Sequence, residues 1–323
     1  MYSVTNKAVD IGEQFRTVLV RLFGGKLAAT DYDFKVLDEQ SEDLLFYELG
    51  ERGLGPCLLG VFPGGRIEEY IESRTLTNAD LLNPLIRRDY ARKLGRFHSL
   101  DMPFVKDRIR VLHQIKKLML DYEDNDGPET LSKRTLLIKG TESASNYVVN
   151  FNWQDAYEFM REYERKVNGR ITVTAWDVNR CNCLVREELD TFGERVTLID
   201  MEFAGYNQRG LDLGGHFSHW TMDMKAPDFI SGLSYPELSI RRQFVKDYLD
   251  QCEHEGFDIN RDGQDSIEHV LMEAEFYGMM NSLFVALFFV QPSEAFMTSS
   301  LAKPFLVSSL FIPSIQSLML CSF

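Results

Sequence analysis

The stretch that decides the fold is TAWDVNRCNCLVREELDTFGERVTLIDMEF, residues 174–203. Asp177 is followed five residues later by Asn182, and Asp200 ends an apolar run, 196–199, that has the composition of a short strand. Carboxylate and amide oxygens are the ligands that hard divalent cations prefer, and a carboxylate can also accept a proton from a reacting hydroxyl. The spacing predicts a tight loop that presents Asp177 and Asn182, with a strand pair that delivers Asp200 opposite them.

This order of residues resembles that of protein kinases, in which H-R-D-x-x-x-x-N precedes D-F-G. The resemblance implies that Asp177 accepts the proton of an attacking hydroxyl. It also implies that Asn182 and Asp200 hold Mg²⁺ against the phosphates of a nucleotide. Taken alone, D-x-x-x-x-N also arises by chance on surface loops, so the flanking sequence decides between the two interpretations.

The flanking segments resemble the choline/ethanolamine kinase family. Residues 201–220 read MEFAGYNQRGLDLGGHFSHW, similar to the family's D-F-E-Y followed by Y-N-x-R-G-x-D-I-G-N-H-F-x-E-W. Three further segments resemble the family in the same order: VLVRLFGG (18–25), GLGPCLLGVFPGGRIEEYIESRTL (53–76) and FHSLDMPFVKD (97–107). The chain is therefore identified as a divergent member over roughly residues 1–290. The resemblance implies a bilobal, protein-kinase-like α+β fold. It also implies ATP- and Mg²⁺-dependent phosphorylation of choline or ethanolamine, the first step of phosphatidylcholine and phosphatidylethanolamine synthesis.

Residues 1–71 have the pattern of a small, strand-rich lobe that ends in a hinge at 69–71. The β-branched and apolar run Thr17–Phe23 stops at two glycines, which predicts a strand and a turn. Cys57–Phe62 and Arg66–Ile71 flank a Pro-Gly-Gly sequence and predict a hairpin. Ser41 is expected to cap a helix that lies between these elements.

Residues 72–298 are predicted to form a larger, mainly helical lobe. One helix face is indicated by the spacing of Ile86, Tyr90, Leu94 and Phe97. Further helical patterns occupy residues 106–122, 154–166, 236–253 and 264–290. Between them lie the catalytic loop, 174–186, and the metal segment, 196–220. The tail, 299–323, does not resemble the closing helix of the family.

The resemblance also implies residues for nucleotide binding. Arg21, in the middle of its strand, would hold the α- and β-phosphates. Glu42 matches a glutamate of the family and would pair with Arg21; the alternative is a solvated charge that stabilises its helix through the dipole. The hinge backbone, which would bind adenine, consists of Glu69, Tyr70 and Ile71.

The family surrounds its quaternary ammonium acceptor with aromatic faces and carboxylates, because such a cation has no N–H to donate. By resemblance, the acceptor would contact Asp177, Glu202, Phe203, Tyr206, His219, Trp220 and Phe284. Asn179 replaces a glutamine that lies beside acceptor and ATP. His219 replaces an acid of the family, and Phe284 and Leu287 stand where the family has W-x-x-W. The alternative for the late aromatic residues is core packing. We expect a weakened cage, which disfavours choline more than ethanolamine.

Two departures from the family concern the catalytic machinery itself. The His-Asn before the base aspartate is Ala175-Trp176 here. The glycine-containing phosphate loop has no counterpart, because residues 1–4 already resemble the strand that follows it. Two alternatives therefore stay open. One is a catalytically weak or dead member that acts as a binding or dimerisation partner, and the other is a phosphotransferase for another amino alcohol or an aminoglycoside. His98, on an apolar helix face, is expected to be a core histidine.

Composition restricts the partners and the compartment. Lys+Arg is 35 and Asp+Glu is 49, so the formal net charge is −14, which disfavours nucleic acid and anionic membranes. The five cysteines are scattered without a C-x-x-C pair, as in a reduced, cytoplasmic protein. Met1–Asp10 has no apolar core of the kind that signal peptides carry. The apolar run Leu283–Val290 is shorter than the ~20 residues needed to span a bilayer. We expect a small-molecule substrate and no stable membrane insertion, with homodimer formation left open.

Overall fold

The computed structural model describes residues 2–5, 17–23, 37–103, 106, 111–124, 150–223 and 231–290. The strands are β1 (Tyr2–Thr5), β2 (Thr17–Leu22), β3 (Leu58–Phe62), β4 (Gly65–Glu69), β5 (Ser73–Thr75), β6 (Ile171–Thr174), β7 (Cys183–Arg186), β8 (Val196–Leu198) and β9 (Gly205–Gln208). The helices are α1 (Glu39–Glu51), α2 (Asn78–Leu82), α3 (Pro84–His98), α4 (Val111–Asp124), α5 (Trp153–Val167), α6 (Gly210–Ser218), α7 (Leu238–His254) and α8 (Ile267–Val290), with a 3₁₀ helix at Arg180–Asn182. The α+β class predicted from the sequence is confirmed.

The first four strands form one antiparallel sheet in the order β1-β2-β4-β3. The predicted strand around Arg21 and the predicted hairpin are both present. The hairpin turns at Gly64, whose φ of 85° lies in the left-handed region that favours glycine. Register places Arg21 directly opposite Arg66, so two positive side chains share one face of the sheet. Acidic neighbours are needed there, because like charges opposite each other destabilise a strand pair.

Helix α1 begins earlier than its sequence suggests. Its N-cap is Asp38 rather than Ser41, because the Asp38 carboxylate accepts a hydrogen bond from the Ser41 amide at 2.8 Å. A carboxylate also interacts favourably with the positive end of the helix dipole. Leu45 and Leu49 are buried, and they bring Glu42, on the same helix, towards the sheet.

The predicted helical segments correspond to α3, α4, α5, α7 and α8, and the four spaced residues of α3 are all buried. Helix α3 packs on α7, and α6 packs on α8. The α6–α8 contact requires glycine at position 214. A Cβ there would lie 2.1 Å from the carbonyl oxygen of Ala274, so the backbones meet only because no side chain intervenes.

Helix α8 is the one described helix that is long and apolar enough to cross a membrane by length and composition. The apolar run at 283–290 is its C-terminal end. Within the protein, 72% of its most apolar window is buried. Leu283 and Leu287, for example, are completely buried. This is the pattern of a core helix, which packs on several neighbours at once.

The loop before the 3₁₀ helix lies between two hydrophobic core clusters. Ala175 and Val178 belong to the first cluster, with residues of α3 and α7, whereas Trp176 belongs to the second, with residues of α4, α5 and α8. The loop is thus held from both sides. The tail 299–323 lies outside the described residues, and the lobe boundaries at 71 and 298 stay predictions.

Candidate active site

The carboxylate of Asp177 is oriented by two amide side chains. Asn179 Nδ2 donates to Oδ1 at 2.8 Å, and Asn182 Nδ2 donates to Oδ2 at 2.9 Å. Asn182 Nδ2 also donates to the Asp177 carbonyl oxygen at 3.1 Å. Both carboxylate oxygens therefore have fixed directions, while Asp177 stays only half-buried. An oriented, partly accessible carboxylate is suited to accept a proton from a hydroxyl.

Asn179 has a second role, as the N-cap of the 3₁₀ helix. Its Oδ1 accepts a hydrogen bond from the Cys181 amide at 2.7 Å. The same side chain thus closes the turn and holds Asp177. Asn179 therefore positions the predicted base, and its place beside acceptor and ATP stays a prediction.

Asp200 lies opposite Asn182 because β8, which precedes Asp200, pairs with β7, which begins directly after Asn182. The Ile199 amide donates to the Asn182 carbonyl oxygen at 3.0 Å. Asp200 itself has a φ of 66°, a left-handed conformation that is strained for most non-glycine residues. The Asp200 side chain is 30% exposed. The backbone turns sharply at this point and presents the carboxylate.

These two residues fit a magnesium ion. The nitrogen of the Asn182 amide is used by Asp177, which leaves the amide oxygen as a ligand. Mg²⁺ takes hard oxygen ligands and keeps several of its sites for water and substrate phosphates. Among the described residues, no group of three or more His, Cys, Asp or Glu side chains that could hold a metal occurs.

Arg21 extends from β2 to this segment. Its Nη1 donates to Asp200 Oδ1 at 2.7 Å, and its Nε lies 3.4 Å from Glu68 Oε1. Burial opposes the charge of Arg21, but the carboxylates of Asp200, Glu68 and Glu202 together outweigh burial and raise the pKa of the guanidinium. Arg21 is therefore a permanent cation beside the predicted metal ligand, which suits a phosphate-binding role.

Glu42 does not form the predicted ion pair with Arg21. Its Oε1 accepts from Arg66 Nη1 at 3.0 Å, and Arg66 Nε donates to Glu68 Oε1 at 2.7 Å. The reason is the register, which places Arg66 beside Arg21 and lets Glu68 contact both arginines. Glu42 is only 4% exposed, so the alternative of a solvated helix-dipole charge is also wrong. The chain of contacts runs from Glu42 through Arg66, Glu68 and Arg21 to Asp200.

The predicted hinge connects β4 to β5. Glu69 pairs with Cys57 through both backbone and side chain, with N–O distances of 2.9 and 3.0 Å. Tyr70 is exposed, and Ile71 is buried while its carbonyl oxygen accepts from Ser73 Oγ. Glu69 thus has a structural contact in the sheet, and a role of this backbone in binding adenine stays a prediction.

The catalytic loop is anchored by a carboxylate that the sequence reasoning did not single out. Asp212, on α6, accepts from the amides of Ala175 and Trp176, each at 2.8 Å. His98 Nε2 donates to Asp212 at 3.0 Å, and His98 Nδ1 lies 3.0 Å from the Tyr248 hydroxyl. Asp212, His98 and Tyr248 are completely buried. The expectation of a core histidine with satisfied hydrogen bonds is confirmed, and a lone acid inside the apolar sequence GLDLGGHF was the available signal for Asp212.

Trp176 adopts the left-handed conformation, with φ of 61°, and directs its indole towards α8. Its Nε1 donates to Asn281 Oδ1 at 3.2 Å. The indole ring lies 5.3 Å from the ring of Phe284 and 6.5 Å from that of Phe203, measured between centroids. Phe203 and Phe284 are half-buried. The residue that replaces the family's asparagine thus forms an aromatic cluster directly before the base.

Three other residues expected around the acceptor lie in the core instead. The Tyr206 hydroxyl is bonded to the backbone of Met102, at 2.9 and 3.0 Å, so this ring fastens β9 to the segment after α3. Trp220 is 3% exposed and belongs to the first core cluster. Leu287 is completely buried, because its face of α8 packs inward.

His219 lies near the catalytic loop, at the end of α6. Its Nδ1 donates to the Gly215 carbonyl oxygen at 2.7 Å. Burial lowers the pKa of His219, although the field of Asp177 opposes this effect. The imidazole is therefore neutral near pH 7, with Nε2 as an acceptor. Glu202, two residues after Asp200, is half-buried, and its charge contributes to the raised pKa of Arg21.

The sheet with Arg21, the loop with Asp177 and the helical remainder together have the protein-kinase-like arrangement of small-molecule phosphotransferases. Solved structures confirm this fold. An ethanolamine kinase of Plasmodium vivax is similar with a TM-score of 0.64 and 17% identity, over 95% of this chain and 78% of the other. A choline kinase of Cryptosporidium parvum is similar with a TM-score of 0.62 and 18% identity, over 94% and 85%.

The sequence comparison shows the family. The family model for choline/ethanolamine kinase matches residues 1–300. A choline/ethanolamine kinase of Homo sapiens is 28% identical over 287 residues, which are 87% of this chain and 68% of the human protein. This chain therefore belongs to the choline/ethanolamine kinase family, as the resemblance of its motifs predicted.

Proposed function

We propose that this protein transfers the γ-phosphoryl group of ATP, in the presence of Mg²⁺, to the hydroxyl of ethanolamine or choline in the cytoplasm. The observation that carries this proposal is the pair of amide donors that fixes the Asp177 carboxylate. A base must be oriented towards the hydroxyl whose proton it accepts, and here both carboxylate oxygens have assigned donors.

The other residues have complementary roles in this proposal. Asn182 and Asp200 hold the magnesium ion. When Asp200 interacts with the metal, its contact with Arg21 weakens, and the guanidinium of Arg21 binds the phosphates. When bound, Mg²⁺ neutralises the charge of the phosphates. Because little covalent chemistry falls to the protein, positioning and charge account for most of the rate enhancement.

The acceptor chemistry favours ethanolamine over choline. A neutral His219 places no negative charge beside the acceptor, and its Nε2 can accept a hydrogen bond from an ammonium that carries N–H groups. Trimethylammonium has no such hydrogen and depends on aromatic faces. Trp176, Phe203 and Phe284 supply these faces in part, so choline is proposed as the weaker substrate.

The alternative from another class is a catalytically dead binding partner. Such a partner has no need for two amides that orient one carboxylate, or for a left-handed backbone at Asp200. The test is incubation of the purified protein with ATP, Mg²⁺ and either amino alcohol, with mass-spectrometric detection of the phosphomonoester. Product that requires both Mg²⁺ and acceptor supports the proposal, and its absence with both acceptors supports the dead partner.

A further inference from the structure

A cavity of about 300 Å³ lies between the segment after β5 and the 3₁₀ helix of the catalytic loop. It is lined by Thr75, Leu76, Thr77, Asn78, Ala79, Arg180, Cys181 and Asp223. None of these residues has been assigned above to nucleotide, metal or acceptor. The volume is at the lower end of the range that binds small molecules, which indicates a ligand of metabolite size.

Two residues of this lining have polar atoms without a hydrogen bond within the described structure. The Arg180 side chain is 10% exposed, and its Nη2 forms an ion pair with Asp223 Oδ1 at 3.7 Å but has no hydrogen-bond acceptor among the described residues. Asn78 Oδ1 is likewise buried without a donor, while its Nδ2 is fixed on the Ser231 carbonyl oxygen at 2.7 Å. Buried polar groups normally have hydrogen-bond partners, so this cavity combines a donor and an acceptor that each lack a hydrogen bond within the described residues.

The chemistry of the lining specifies both ends of a ligand. The guanidinium of Arg180 suits an anionic phosphate or carboxylate group, which it can bind through two parallel hydrogen bonds. The Asp223 carboxylate and Asn78 Oδ1 suit an ammonium that donates hydrogen bonds. None of the eight lining residues carries an aromatic ring, whereas a trimethylammonium group would require one. The complementary ligand is a small zwitterion with a primary ammonium.

We propose that this cavity binds phosphoethanolamine, with its phosphate on Arg180 and its ammonium on Asp223 and Asn78. The inference rests on the proposed function, since phosphoethanolamine is the product of that reaction with ethanolamine. Arg180 lies three residues after the base Asp177, so the cavity borders the site of phosphoryl transfer. When phosphoethanolamine occupies the cavity during turnover, this product inhibits the phosphorylation reaction.

The test is calorimetric titration of the full chain, saturated with a non-hydrolysable ATP analogue and Mg²⁺. The ligands are phosphoethanolamine, phosphocholine, ethanolamine and inorganic phosphate. Phosphoethanolamine is expected to bind most tightly. Arg180→Gln and Asp223→Asn should each weaken it about tenfold or more, because each removes a charge-assisted hydrogen bond. Arg242→Gln, a charge loss at an exposed site on α7, should leave its Kd unchanged, and Arg180→Lys should restore part of the affinity.

The outcomes separate this inference from the proposed function. Binding that is unchanged in Arg180→Gln and Asp223→Asn overturns the cavity as the site, even if the enzyme phosphorylates ethanolamine. Equal affinity for phosphocholine overturns the assignment of a primary ammonium. If turnover is absent but binding depends on Arg180 and Asp223, the cavity stands and the proposed function fails. Melting curves show whether Arg180→Gln or Asp223→Asn fails to fold. If one of them does, the binding measured for the other variant and for Arg180→Lys tests the cavity.

Discussion

The guanidinium of Arg21 donates to the carboxylate of Asp200 at 2.7 Å, a contact between residues 179 positions apart that joins the N-terminal sheet to the predicted metal segment. Glu68 holds the other side of Arg21 and is itself held by Arg66. A chain of alternating charges therefore ends on Asp200. This contact makes neighbours of Arg21 and Asp200, the residues that we propose bind phosphate and metal, respectively.

We expect Asp200→Asn to lower kcat by about 10²–10³, a typical loss for a group that stabilises transition-state charge. It should also raise the Mg²⁺ concentration for half-maximal activity, because the metal loses its charged ligand. The measurement is turnover against Mg²⁺ at saturating ATP. Glu68→Gln is the matched control, since it contacts Arg21 but not Asp200. An unchanged Mg²⁺ dependence in Asp200→Asn would remove Asp200 from the metal site.

The buried series Asp212–His98–Tyr248 leads to a prediction about positioning. Tyr248→Phe removes only the hydroxyl next to His98, and should cost about 0.5–1.5 kcal/mol of unfolding free energy. We expect kcat to fall several-fold while KM for ATP stays constant, because the loop that presents Asp177 is loosened and the nucleotide contacts are not. Urea unfolding and steady-state kinetics on one preparation measure both. A loss of stability with wild-type kcat would show that the series supports the fold but not the base.

Local features of this structure were predictable from the sequence, and features that depend on register were not. The strand of Arg21 and the loop with Asp177 and Asn182 follow from short patterns of turn, apolar and polar residues. The partner of Glu42 does not, because it depends on which residue of β4 faces β2. The anchoring by Asp212 joins segments far apart in the chain, which only the packing of α6 against the loop reveals.

The burial of the aromatic residues was also not predictable from the sequence. Phe203 and Phe284 are half-buried beside Trp176, whereas Tyr206 and Leu287 are buried in the core. Residue type alone does not distinguish these cases, because aromatic side chains dominate cores as well as binding sites. Trp176 was interpreted as a loss of the family's asparagine, yet the left-handed backbone turns its ring towards Phe284.

The aromatic cluster predicts substrate preference. Wild-type kcat/KM should be higher for ethanolamine than for choline. Trp176→Leu should raise the choline KM by about 2- to 30-fold, the equivalent of one cation–π contact of 0.5–2 kcal/mol, and the ethanolamine KM by less. Trp153→Leu, at a buried tryptophan of the same core cluster, controls for lost packing. A wild-type KM for choline well below that for ethanolamine, or equal effects of Trp176→Leu on both, contradicts this assignment.

His216 predicts the pH dependence of stability. Burial lowers its pKa to about 3 from an ordinary value of 6.5, and the ring stacks on Phe244 at 4.6 Å. The unfolded chain binds a proton at His216 more tightly than the folded chain does. The stability that the neutral His216 contributes is therefore complete above pH 6.5 and is lost as the pH falls from 6.5 towards 3. At pH 5.5 the loss is about 1.4 kcal/mol relative to a group that does not titrate.

Urea unfolding at pH 7.5 and 5.5 measures this contribution, and His216→Phe is the comparison because it keeps an aromatic ring in the stack. The drop in unfolding free energy between the two pH values should be smaller in His216→Phe by about the amount given above. Carboxylates titrate in both proteins, so only the difference between their two drops in unfolding free energy reports on His216. Equal drops would mean that His216 is protonated similarly in the folded and unfolded chain.

The central claim is that this chain is an active phosphotransferase with Asp177 as its base. The most direct measurement is a single-turnover assay with the γ-phosphate of ATP labelled, Mg²⁺, and either ethanolamine or choline, on the wild-type protein and Asp177→Asn. We predict label in the phosphomonoester for the wild-type protein, and a rate about 10²–10⁴ lower in the variant, the usual contribution of a general base, with ATP binding retained. No transfer by the folded wild-type protein, or equal rates in the two proteins, would contradict the account.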